Sequence, residues 1–113
     1  MSPIDLILKE RRRQISAEGF TAAHDDLYIR EELALAAAVY CIPNWAIGED
    51  DHVADAVVEL WPWECDWLKR TPHDRLRELT KAGALIVAEM ERLQRLVPMP
   101  APVSGNADAQ FPG

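Results

Sequence analysis

The stretch from Thr71 to Val97, TPHDRLRELTKAGALIVAEMERLQRLV, constrains this chain more than any other. Thr71 can accept a hydrogen bond from a free backbone N–H, Pro72 suits a first helical position, and Asp74 complements the positive end of a helix dipole. A helix is expected to start there. From Leu76 onward, Leu79, Gly83, Ile86, Met90, Leu93 and Val97 recur at alternating steps of three and four. That draws one apolar stripe, and the stripe is expected to be the seam against a partner helix. The middle, Ala82 to Ala88, is apolar on every side, which predicts burial from several directions. Gly83 costs roughly 1 kcal/mol relative to Ala in a helix interior, so its presence points to a close backbone crossing.

Ser2, Pro3 and Asp5 repeat the same cap, proline and acid start, which predicts a first helix running to about Ala17 and stopped by Gly19. Its apolar face is Ile4, Ile7, Leu8 and Ile15. Arg11 falls on that side and calls for an acidic or phosphate partner, while the rest of the charge run from Lys9 to Gln14 reads as a solvated face. Glu18 to Asp26 reads as a connection with Thr21 as a cap and Phe20 plugging the core. His24, Asp25 and Asp26 form the densest set of potential ligand or acid–base groups. The competing reading is that an Asp caps the next helix while His24 bonds a neighbour, and the two can coexist.

A second helix is predicted over Leu27 to Cys41, with Leu33, Ala36, Ala37, Val39 and Tyr40 inward, ended by Pro43. Asn44 to Asp51 reads as a loop whose acidic end, Glu49 to Asp51, starts a short helix through Val53, Ala56, Val57 and Leu60. Three of the four tryptophans then fall between Trp61 and Trp67. They read either as an aromatic plug closing a bundle or as a stacking wall with Lys69 and Arg70 beside it. Exposure separates the two.

The expected fold is therefore all-α: a small bundle of three main helices plus one short helix in a single domain, residues 1–97. A Pro-, Gly- and Ala-rich tail, 98–113, is expected to be disordered. Twelve basic against nineteen acidic residues give a net charge of −7, which argues against general duplex-DNA or anionic-membrane binding. Cys41 and Cys65 lack metal or redox spacing and are expected to be reduced thiols in a cytoplasm. No apolar run approaches the roughly 18 residues of a membrane span, so a soluble protein is expected.

Several motifs together form a recognisable pattern. They are Glu10-Arg11-x-x-Gln14, Glu18-Gly19-Phe20-Thr21, His24-Asp25-Asp26, Ala36-Ala37-Ala38-x-Tyr40, Trp61-Pro62-Trp63 with Trp67, and Lys81 to Leu93 as KAGALIxAExERL. In these the chain resembles a family of short tailed-phage and prophage proteins whose members carry no assigned activity. The resemblance covers about residues 4–96 and implies a phage accessory protein in the bacterial cytoplasm. It implies no chemistry.

Three functions follow as expectations. The first is a non-enzymatic binding protein, counter-defence or host-modulating, that holds a host protein or a small phosphorylated or nucleotide ligand. Its donors would come from Arg11, Arg13, Gln14, His24, Lys69, Arg70, Arg75 and Lys81. Its site is expected to group Arg11, Gln14, His24, Asp25 and Asp26 with Lys81 and Glu89, and to stack on Trp63 and Trp67. The second is an all-helical nucleotide pyrophosphohydrolase in the MazG-like style, which alone would need Mg²⁺, held by carboxylates such as Glu31, Glu32, Asp25, Asp26, Glu89 and Glu91. The paired E-x-x-E and E-x-x-D motifs of those enzymes are absent; Glu89 and Glu91 point to different sides of a helix. The third is a homo-oligomeric helical subunit, with the stripe from Leu76 to Val97 meeting its symmetry mate.

Overall fold

The computed structural model describes residues 1–96, and all its regular structure is helical. The expected tail, 98–113, lies outside the described residues. Helix α1 spans Pro3–Glu18. Ser2 and Asp5 exchange hydrogen bonds, the Ser2 hydroxyl accepting from the Asp5 N–H at 3.1 Å and the Asp5 carboxylate from the Ser2 N–H at 3.2 Å. Gly19 ends the helix at φ +75°, where a side chain would strain the backbone. A single turn, α2, follows over Ala22–Asp25 with Thr21 as its cap.

Helix α3 spans Glu32–Cys41 and starts five residues later than expected from Leu27. The chain turns through Asp26 to Glu31, and Glu31 stands in the left-handed region at φ +60°. All five expected inward residues of α3 are buried. The expected loop after Pro43 is itself mostly helical: α4 spans Asn44–Glu49, and α5 spans Asp51–Leu60. Asp50 starts α5 by accepting from the His52 N–H at 2.9 Å. A 3₁₀ turn over Cys65–Trp67 interrupts the connection to α6, Arg75–Leu96.

Helix α6 is central: α3 packs on it most extensively and α1 next. Its cap is Asp74 rather than Thr71, since the Asp74 carboxylate accepts from the Arg77 N–H at 3.0 Å. Thr71 and Asp74 instead close a turn just before it. The core joins Phe20, Leu33, Ala36, Ala37 and Tyr40 to Ala82, Leu85 and Ala88, with Trp61, Trp63, Tyr28 and Leu68 against its edge.

The expected seam is on the wrong side. Leu76, Leu79, Ile86, Met90 and Leu93 are all exposed, between 44% and 61%, whereas Glu78, Lys81, Ala82, Leu85, Ala88, Glu89 and Arg92 face inward. The alanines decide this, because small side chains on both α3 and α6 let the two backbones approach closely. The charged residues of that face are tolerated where neighbours neutralise them. Helix α1 repeats the inversion: Glu10, Arg11 and Gln14 are buried while Ile4, Leu8 and Ile15 are exposed. The middle of α6 is buried as expected at Ala82, Ala84, Leu85 and Ala88, with Ile86 the exception. Gly83 does mark a close approach, but by a side chain. A Cβ there would lie 2.7 Å from Ile7 Cδ1 of α1.

Candidate functional site

Three polar assemblies account for the residues singled out in the sequence, and only one of them lines a cavity.

The first is a latch. Arg11 donates through Nη2 to Asp25 at 3.1 Å, through Nη1 to the Phe20 carbonyl at 3.0 Å, and through Nε to Glu91 at 3.0 Å. Asp25 is fully buried and also meets His24 Nδ1 at 3.3 Å, while His24 Nε2 lies 3.1 Å from the Tyr28 hydroxyl and its ring stacks on Phe20. Burial pushes the Asp25 carboxyl above its usual range, outweighing the His24 hydrogen bond and the Arg11 charge. The partner that Arg11 required is thus an acid of its own chain. Arg11, His24 and Asp25 tie α1, α2 and α6 together and are occupied by one another.

The second assembly lies outside that latch. Asp26 pairs with Arg95 at 2.7 Å on the surface, and Glu89 takes a two-pronged bond from Arg92 at 2.7 and 2.8 Å. Glu89 is therefore not a partner of Lys81. Arg70 and Arg75, named as ligand donors, also serve the fold. Arg70 donates to the carbonyls of Val39 and Ile42, and Arg75 to those of Tyr40 and Cys41, filling the unpaired end of α3. Glu78, fully buried, accepts from Asn44 at 2.7 Å and neutralises both guanidiniums.

The third assembly surrounds a cavity of about 400 Å³ between α1, α3, α6 and the Trp61–Lys69 connection. Phe20, Tyr40 and Leu85 supply its apolar interior, and Trp61, Trp63 and Trp67 a wall. Trp61 and Trp63 meet edge to face at 5.3 Å, half-buried against the core, whereas Trp67 is 55% exposed. Plug and wall are thus the same residues seen from two sides. Trp63 Nε1 and Gln14 Oε1 are sealed from water without a partner. The Gln14 orientation follows from Glu10, an acceptor that takes its amide N–H₂ at 3.3 Å.

Charge around the cavity is uneven. Glu10 is buried and takes two bonds from Arg13 at 2.8 Å and a third contact from Arg77 at 2.8 Å. Burial pushes its carboxyl up, but the Arg13 hydrogen bond and the Arg77 and Arg13 charges prevail and hold it below its usual range. Lys81 has no such partner. It is 7% exposed, donates to the Lys69 carbonyl, and sits 5.6 Å from the centre of the Tyr40 ring. Among the described residues it forms no salt bridge. Burial, with repulsion from Arg77, depresses its pKa.

Of the expected site, then, Gln14, Trp63, Trp67 and Lys81 come together, and Arg11, His24, Asp25, Asp26 and Glu89 do not line that cavity. Trp61, expected within the stacking wall, and the expected donors Arg13 and Lys69 line it too, whereas Glu10, Glu18, Asp66 and Tyr40 were not expected as its walls. Helical spacing from Gln14 to Glu10 was the available signal. Among the described residues no three His, Cys, Asp or Glu side chains gather as a metal's ligands, and Cys41 and Cys65 are exposed and unpaired. No helix among them is long and apolar enough to cross a membrane. Compared with protein-family models, curated proteins and solved structures, the chain matches none.

Proposed function

We propose that the chain is a phage-encoded accessory protein that works in the host cytoplasm by binding. Its ligand is a small molecule with a flat ring and an anionic group, of the nucleoside monophosphate kind. The phage setting rests on the motif resemblance alone. The ligand class rests on one observation: the buried Lys81 ammonium lines an aromatic cavity and, among the described residues, has no carboxylate within salt-bridge distance. An unpaired buried charge is costly, and an anion brought by a ligand offsets that cost. The aromatic wall supplies stacking, worth about 1–3 kcal/mol per base in other proteins. The volume lies within the roughly 300–1,000 Å³ of small-ligand sites. Glu10, Glu18 and Asp66 on the lining make a single anionic group a better fit than a polyphosphate chain.

The pyrophosphohydrolase reading draws less support. Asp25 and Glu91 are both engaged by Arg11, Asp26 by Arg95 and Glu89 by Arg92.

The test is titration of the intrinsic tryptophan fluorescence with the four ribonucleoside 5′-monophosphates and with ribose 5-phosphate. A nucleoside monophosphate is expected to quench saturably, and ribose 5-phosphate is not. Lys81→Met should weaken that binding roughly ten-fold, or about 1.4 kcal/mol, without lowering the melting temperature, since it removes a buried charge and keeps the stem. Absence of saturable quenching at millimolar nucleotide, or unchanged affinity in Lys81→Met, overturns the reading.

A further inference from the structure

We propose that the outward stripe of α6 is a docking surface for a second copy of this chain. Leu76, Leu79, Ile86, Met90 and Leu93 keep the three-and-four spacing by which one helix seats against another. All five are about half exposed. The gap in the stripe at Gly83 is filled by Ile7 of α1, so the apolar surface runs on through Ile7 to its helical neighbours Ile4 and Leu8, 71% and 43% exposed. A monomer rarely shows a contiguous apolar patch beyond a few hundred Å².

The area points to an occupant of similar size. The exposed parts of these side chains amount to roughly 700–800 Å², close to the 800 Å² or so that each partner contributes to a standard interface. Charge restricts where a copy of the chain can sit. At −7, two copies repel over most of their surface. The stripe itself carries no charge, and the charges beside it on α6 are basic at its start, Arg75 and Arg77, and acidic toward its end, Glu91, an order that an antiparallel pairing of two copies sets opposite each other. A two-fold axis across α6 brings the stripe onto itself as one self-complementary patch.

Sedimentation equilibrium of the full chain tests this. The wild type is expected at twice the 12.7 kDa chain mass at micromolar concentration. Ile86→Glu and Met90→Glu, measured separately, should each raise the dimer dissociation constant roughly 30-fold or more, as removal of a hot-spot contact does. Their helical circular dichroism should be unchanged, because neither side chain is in the core. Val58→Glu on α5, 78% exposed and away from the stripe, should leave the dimer intact. A monomeric wild type at several hundred micromolar overturns the proposal, as does a dimer that survives both stripe variants or that Val58→Glu dissociates.

Discussion

The two faces of α6 are built on opposite rules. The inward face carries Glu78, Lys81, Glu89 and Arg92 among alanines and one leucine, and the outward face carries Leu76, Leu79, Ile86, Met90 and Leu93. Hydrophobicity alone would exchange them. What the inner face has instead is fit: Ala82, Leu85 and Ala88 share one buried core with Ala36 and Ala37 of α3. Three of its four charges are neutralised in place, Glu78 by Arg70 and Arg75, and Glu89 and Arg92 by each other. The difference teaches that large apolar residues at helical spacing do not by themselves mark the buried face of a helix, and that small ones can mark where two helices of the chain come together.

The largest effect should come from the inner face. Glu78→Ala leaves Arg70 and Arg75 without a counter-charge at the end of α3, and breaking a buried pair costs about 3–5 kcal/mol. That is a large part of a small domain's total stability, so urea denaturation should find a drastically weakened or unfolded protein. A variant as stable as the wild type would show that the inner charges contribute nothing.

A middle-sized effect compares neighbours on opposite faces. Leu85→Ala should lose about 2–5 kcal/mol through the cavity it leaves. Ile86→Ala should change the stability of the isolated chain by about 0.5 kcal/mol or less, when measured dilute enough to be monomeric. Equal losses at the two positions would erase the distinction.

The smallest effect depends on pH and concerns Glu10, where α1 turns the same polar face inward. Its carboxyl is held below the ordinary 4.5 by Arg13 and Arg77 despite burial. A depressed carboxylate contributes stability above its unfolded pKa and loses it as pH falls through the folded value. Glu10→Gln should therefore be less stable than wild type at pH 7, with the difference shrinking below about pH 4. A gap that stays constant from pH 7 to pH 3 would mean that Glu10 acts by shape and not by charge.

The local parts of the fold were legible in the residues. Ser2, Pro3 and Gly19 mark the ends of α1, and Leu33, Ala36, Ala37, Val39 and Tyr40 identify the inner face of α3, because caps and short-range periodicity depend on neighbours in sequence. The orientation of α6 was not legible, since alanine counts little on a hydrophobic scale yet governs how near two helices come. The site was legible in half. Trp63, Trp67, Gln14 and Lys81 were named and do meet. Arg11, His24 and Asp25 were drawn in with them because they look reactive, and only the distance from Arg11 to Asp25 shows them satisfied by each other. Glu10 was passed over as one more charge in a run; the residue that makes it special, Arg77, lies on another helix.

The connection carrying the tryptophans has a consequence for traffic into the cavity. It is fastened along its length: Trp61 donates through its indole N–H to the Glu64 carbonyl at 2.9 Å, the Lys69 N–H donates to the Tyr40 hydroxyl at 3.0 Å, and Arg70 grips the carbonyls at the end of α3. The Lys69–Arg70 end is thereby tied to α3, and the Trp61 bond closes a turn within the connection itself. Under the proposed function, the exposed Trp67 side chain is the part of the wall that an entering ring would meet, and a fixed frame behind it would favour thin, flat molecules over bulky ones of the same chemistry.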